Sequence, residues 1–168
     1  NEQTFDGVRV DLKARDGRAV TYAYVAQVNR TIGRDHPQGE WRGDLHLLNA
    51  DAPLPHGMKL GSYLYLLDFD FPADQSTATV GARLTGETKL FGKSAGWEVE
   101  YARQSDFGAV RDNFALDYVV VGGDLKGPRG SLGLVFEQLG GDGRHGFQTP
   151  LATLHGFQGR SDVIGATP

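Results

Sequence analysis

Along most of the chain, apolar and polar residues alternate with a period of two. That is the repeat of a β-strand whose two faces meet different surroundings. In residues 4–14, Val8, Val10 and Leu12 oppose Arg9, Asp11 and Lys13. Residues 19–29 return with Val20, Tyr22, Tyr24, Ala26 and Val28 on one face. Residues 77–86 set Ala78, Val80, Ala82 and Leu84 against Thr79, Gly81, Arg83 and Thr85. Residues 96–104 set Trp97, Val99 and Tyr101 against Glu98, Glu100 and Ala102. Residues 113–126 set Phe114, Leu116, Tyr118 and Val120 against Ala115, Asp117 and Val119, and residues 131–139 set Leu132, Leu134 and Phe136 against Gly133, Val135 and Glu137. A short strand over 43–50 and a strongly apolar one over 58–69, whose faces the pattern does not separate, bring the prediction to about eight strands of roughly 8 to 13 residues.

No helical period competes, and every connection suits neighbouring antiparallel strands, so the pattern predicts an up-and-down meander. Residues 15–18 carry the Asp16-Gly17 pair of a tight hairpin, and 127–130 form a second tight turn. Residues 30–42 read as a longer polar loop, and 51–57, 70–76, 87–95 and 105–112 as further turns or loops. Connections after odd strands tend to be tighter than those after even strands. Short turns on one side and longer loops on the other is the layout of an outer-membrane barrel.

The faces admit two solutions. A soluble barrel or sandwich buries its apolar face, whereas a membrane barrel turns that face to lipid and lines a wet lumen with the polar one. Alternation satisfies both.

Composition narrows the class. Glycine supplies 24 of 168 residues, about twice the usual ~7% share, and there is one methionine; both favour a turn-rich β protein over a helical bundle. The absence of cysteine excludes disulfides, thiol chemistry and Cys-ligated zinc. A net charge of −4 with both signs interspersed offers no nucleic-acid surface. No run approaches the ~18 apolar residues of a membrane helix, and the chain opens on polar residues rather than a secretory leader.

Candidate chemistry is sparse. His36, His46, His56, His145 and His155 show no metal-ligand spacing, so no metal or other cofactor is expected. Asp142, in Gly140-Gly141-Asp142-Gly143, is a carboxylate that a hard cation would accept, although such a phrase is more often only a turn. No nucleophile elbow, phosphate loop or dinucleotide fingerprint is present, and Glu98 and Glu100 share one strand rather than facing each other as a glycosidase pair does. An enzyme is not expected. The functional candidates are the charges of the polar face: Arg9, Asp11, Lys13, Arg83, Glu98, Glu100, Asp117 and Glu137, which in a channel would select the solute.

Residues 140–168, GGDGRHGFQTPLATLHGFQGRSDVIGATP, form the longest stretch that is neither strand nor tight turn. The phrase GGDG…FQTPLATLHGFQG resembles a signature of the alginate-export family of outer-membrane β-barrels, where it lies in a loop late in the barrel. The likeness extends to residues 1–13 (NEQTFDGVRVDLK), 46–50 (HLLNA), 62–70 (SYLYLLDFD) and 100–107 (EYARQSDF). The family continues its phrase with Trp-Ala-Asp, where this chain has Arg160-Ser161-Asp162. The resemblance implies a transmembrane β-barrel channel in the bacterial outer membrane, embedded in lipid, passing a polar or anionic solute such as a polysaccharide. It also implies about twice eight strands, 16–18 in all. Residues 1–168 then read as one domain that is half of a larger barrel, an intact eight-strand barrel with a long tail being the alternative. Residues 140–168 become a candidate plug or gate, with Asp142 and His155 in it. The family's basic lumen is not matched here, since the later strands put mostly Glu and Asp on the polar face, which disfavours alginate itself. The rivals are a soluble β-barrel binding a small apolar ligand and a structural barrel subunit of an envelope assembly.

Overall fold

The computed structural model describes residues 3–108 and 112–151. Eight strands form one antiparallel sheet in simple sequence order: β1 (Thr4–Lys13), β2 (Ala19–Asn29), β3 (Glu40–Pro53), β4 (Lys59–Phe71), β5 (Thr77–Leu90), β6 (Lys93–Asp106), β7 (Ala115–Gly127) and β8 (Gly130–Leu139). Among the described residues the sheet has two free edges, because β1 pairs only with β2 and β8 only with β7. The connections at one end are 14–18, 54–58, 91–92 and 128–129, and at the other 30–39, 72–76 and 107–114. The asymmetry of turn lengths is therefore present in the fold.

Three strands, β3, β5 and β6, run clearly longer than expected. The short strand over 43–50 spans Glu40–Pro53, because a register shift between Arg42 and Gly43 lets pairing continue on both sides. The expected turn over 87–95 is instead strand up to Leu90 and again from Lys93. Only Phe91 and Gly92 turn, both at positive φ (51° and 73°), as a tight two-residue hairpin requires.

Directly paired residues share a face, so register sorts the sheet into an inner and an outer side. The outer side carries rows of uncovered apolar residues. One row runs Val10, Tyr22, Leu48, Leu64 and Val80, and another runs Leu60, Leu84, Val99, Val121 and Phe136. Most are open: Val10 is 46% exposed, Val80 58%, Val99 44% and Phe136 58%. Towards the longer connections this surface turns polar through tyrosines, where the Tyr24 hydroxyl donates to Asp44 at 2.6 Å and Tyr22 shares a 2.8 Å hydrogen bond with His46.

Among the described residues the two buried apolar clusters lie on the inner side near the longer connections. One cluster is Val25, Val28, Trp41, Leu45, Leu67 and Phe69, with the Trp41 and Phe69 rings edge to face at 5.5 Å. The other is Ala102, Phe114, Leu116 and Phe147. Burying side chains of this size stabilises by about 1.5–3 kcal/mol each. Val28 reaches the first cluster because a bulge between Val25 and Gln27 switches the strand's parity. Uninterrupted alternation would put it outside with Tyr22 and Tyr24, and that expectation is corrected here.

Candidate functional site on the inner face

The inner face is a ladder of polar rows. One row of paired positions crosses all eight strands: Lys13, Ala19, Asp51, Gly61, Arg83, Glu100, Val120 and Glu137. The next row, nearer the longer connections, reads Asp11, Thr21, Asn49, Tyr63, Gly81, Ala102, Tyr118 and Leu139. The following one contains Arg9, Leu47, Tyr65, Thr79, Gln104 and Leu116. A hollow of about 500 Å³ is lined from six consecutive strands, with Arg9, Thr21, Asn49, Tyr63, Arg83 and Glu100 on its wall, so the sheet curls around this face.

The charges are tied to one another. Arg83 pairs with Glu98 and reaches Glu100 at 3.8 Å. The Tyr63 hydroxyl donates to the other oxygen of Glu100 at 2.7 Å, and the Tyr118 hydroxyl donates to Glu137 at 2.7 Å. Arg9 pairs with Asp11 at 2.9 Å, and the Thr21 hydroxyl donates to the same Asp11 oxygen at 2.7 Å. Tyr65 stacks on Tyr63 at 5.0 Å and donates to the Asn49 side-chain oxygen at 2.8 Å. Two glycines make room for these side chains to lie along the wall. A Cβ at Gly81 would collide with the Tyr63 ring, and one at Gly122 would lie 2.8 Å from Glu98 Oε1.

Of the expected polar-face residues, Arg9, Asp11, Lys13, Arg83, Glu98, Glu100 and Glu137 lie on this side. Asp117 does not. It pairs with Arg103 on the outer side, where the Tyr101 hydroxyl donates to it at 2.7 Å and Arg103 approaches to 3.0 Å. The same register, Glu100 opposite Val120, turns Leu116, Tyr118 and Val120 inward, opposite to the expected sorting. Alternation divides a strand into two sets, but only pairing with a neighbour says which set faces which way.

Sequence reading missed Asn49, Asp51, Tyr63, Tyr65 and Gln104. A signal existed for the tyrosines: Lys59, Tyr63 and Tyr65 alternate with Leu60, Leu64 and Leu66 inside the apolar run.

The segment 140–151 closes over the inner face at its longer-connection end. Gly140 N donates to Asp117 O at 2.8 Å, and Phe147 N donates back to Gly140 O at 2.8 Å, closing a small turn bridged at Gly141 and Gly146. Phe147 is 8% exposed, seated among Ala102, Phe114 and Leu116 and stacked on Tyr118 at 5.3 Å. Gln104, 1% exposed, clasps the next residue: its amide nitrogen donates to Gln148 O and to the Thr79 hydroxyl, both at 2.9 Å, and its oxygen accepts from Gln148 N at 2.8 Å. Leu151 then packs against the Val25–Trp41 cluster, and its carbonyl accepts from the Gln3 side chain at 3.2 Å. The segment thus forms a strap from the β7–β8 side across β6 to the β2–β4 side.

Asp142 is engaged within the strap's own turn. One of its oxygens accepts from Arg144 N at 2.8 Å and His145 N at 2.7 Å, and the other meets the His145 ring at 3.0 Å. The ring contact first, then the two main-chain donors, hold its carboxyl well below the usual range. His155 lies outside the described residues. Among the described residues no group of three His, Asp or Glu side chains is placed to hold a metal ion, and no helix is long and apolar enough to cross a membrane.

Compared with known proteins, the chain matches no family model, no curated protein and no solved structure.

Proposed function

We propose that this sheet is the wall of an outer-membrane β-barrel channel, of the alginate-export type by its sequence phrases, and that a polar solute passes along its inner face. The observation that carries this reading is the division of the two sides. Across all eight strands the outer side exposes aliphatic and aromatic residues, with its ion pairs Arg103–Asp117 and Arg42–Glu40 towards the longer connections, while the middle of the inner side holds the network of Arg9, Asp11, Arg83, Glu98 and Glu100. Water would penalise the outer arrangement, since contiguous apolar patches beyond a few hundred Å² are rare on soluble monomers. Lipid would favour it.

The dimensions agree. Strands of 10 to 14 residues, tilted as in such barrels, rise about 26–36 Å along the membrane normal, against an apolar band ~25 Å tall. Tyr22, Tyr24 and Tyr101, with polar partners, mark one margin of the apolar rows, as interfacial aromatics do. The free edges of β1 and β8 supply the reason to read the sheet as part of a barrel. Among the described residues each presents unpaired backbone groups, which lipid does not tolerate, and each continues the same inner-polar, outer-apolar division, so in a membrane both edges would be paired, by further strands or with each other. The strap at 140–151 then narrows the lumen from one end.

The soluble ligand-binding rival needs the apolar face as its core. Here the exposed rows of the outer side are the opposite arrangement, which favours the channel reading over the rival. The test is partitioning. A chain that folds with a β spectrum only in detergent or lipid, shows heat-shifted gel mobility and conducts in planar bilayers supports the reading. A water-soluble folded monomer overturns it.

A further inference from the structure

We infer that His145 is a pH-sensitive clip fastening the strap's outer turn to the neighbouring 107–114 connection. The imidazole sits between two carboxylates from different segments. Its Nδ1 is 3.0 Å from Asp142 Oδ2 on its own turn, and its Nε2 is 3.5 Å from Asp112 Oδ2 across the gap. Its ring stacks on Phe114 at 4.8 Å, with Nδ1 hydrogen-bonded to Asp142 and Nε2 at ion-pair distance from Asp112. A neutral imidazole donates from one nitrogen only, whereas the imidazolium donates from both. The two-sided geometry therefore fits the charged form. The other charged residue of the turn, Arg144, contributes its main-chain N–H to Asp142.

The two carboxylates also raise the affinity of His145 for its proton, the Asp142 bond most strongly. A raised value means the clip is at full strength below the ordinary histidine range and is lost as pH climbs through the raised one. The release is local. Gln104 still holds Gln148, so the turn at 141–146 lifts while the rest of the strap stays seated. That the movement alters passage of solute rests on the channel reading; the clip itself does not.

The experiment uses the full chain folded in detergent micelles and has two arms. The first follows the His145 imidazole by NMR against pH, together with the mobility of a spin label at Arg144→Cys. The expected result is an apparent pKa above the ordinary 6.5, lowered in Asp112→Asn. The label should loosen as His145 deprotonates, the clipped-to-released ratio changing by about two- to fivefold, the range of an exposed ion pair. An ordinary pKa, unmoved by Asp112→Asn and by Asp142→Asn, overturns the clip.

The second arm measures conductance from pH 5 to 9. Wild type should conduct more as pH rises, and His145→Gln, which keeps a polar side chain but cannot titrate, should be flat. Identical pH profiles in the two proteins overturn the clip while leaving the channel reading standing. A raised His145 pKa and pH-dependent label mobility, with no conductance at any pH, support the clip and remove the channel reading.

Discussion

Tyr63 and Glu100 lie two strands apart, yet the Tyr63 hydroxyl donates to Glu100 at 2.7 Å, and Arg83 comes to the same carboxylate from the strand between them. The contact exists because Gly81, directly opposite Tyr63, leaves the surface of β5 bare and the phenol ring lies flat across it. Side chain, glycine and carboxylate form one device that holds a charged group against the wall.

That device sets the first prediction. Tyr63→Phe removes a donor to a mostly covered carboxylate and is expected to cost about 1.5 kcal/mol. Gly81→Val forces the ring off the wall and is expected to cost about 1–3 kcal/mol. The two costs should not add, because both break the same contact. Urea unfolding of the two single variants and the double variant in micelles checks this, and full additivity would mean that the phenol does not depend on the glycine.

The outline of this fold is legible in the sequence because β1 after Gly7 alternates cleanly and β8 does so but for Val135 and Leu139, so Val8, Val10 and Leu12, or Leu132, Leu134 and Phe136, sort themselves. The errors fall where a local irregularity or a partner strand decides. Val28 faces inward because a bulge inserts one residue two positions earlier. Asp117 faces outward because of what it pairs with, and that information resides in β6 rather than in β7. Phe91 is a bulky residue at positive φ, a conformation propensity argues against. Gln104 could not be read at all as a clasp: its partner is the main chain 44 residues later, and main-chain groups leave no mark in a sequence.

The clasp gives the second prediction. Gln104→Ala leaves the Gln148 N–H and the Thr79 hydroxyl without their partner in a covered place, at about 1–3 kcal/mol. The loss should be regional. Hydrogen exchange is expected to quicken at Gly140, Phe147 and Gln148, while amides in β3 and β4 keep their protection. Uniform loss across the sheet would show that the strap is part of the global fold rather than a unit laid upon it.

Charge neutralisation supplies the third. Arg83 balances two carboxylates, so this stretch of wall is net negative. Replacing Glu98 and Glu100 together by Gln leaves a lone guanidinium and makes it net positive. Under the channel reading, the reversal potential in a salt gradient is expected to move toward that of the anion, more at low ionic strength than at high. The single replacement Asp117→Asn changes charge on the outer side and is expected to leave selectivity where it was. Equal shifts from both would mean that the inner face is not the conducting one.

The fourth prediction separates lipid from water as the outer surroundings. Val99 and Thr85 lie on adjacent strands at the same level of the sheet, Val99 on the outer side and Thr85 on the inner side opposite Glu98. In water, Val99→Arg is close to neutral, because Val99 is already 44% exposed and long basic side chains reach solvent from such sites. In a bilayer the same change costs about 2–4 kcal/mol near the midplane. Thr85→Arg places its charge beside Glu98 in either setting and is expected to be tolerated in both. Folding efficiency into lipid vesicles, followed by gel shift across a urea series, should therefore fall for Val99→Arg and hold for Thr85→Arg. If the two fold into vesicles equally well, the exposed rows from Val10 to Phe136 do not meet lipid, and a protein partner covering that side becomes the surface to find.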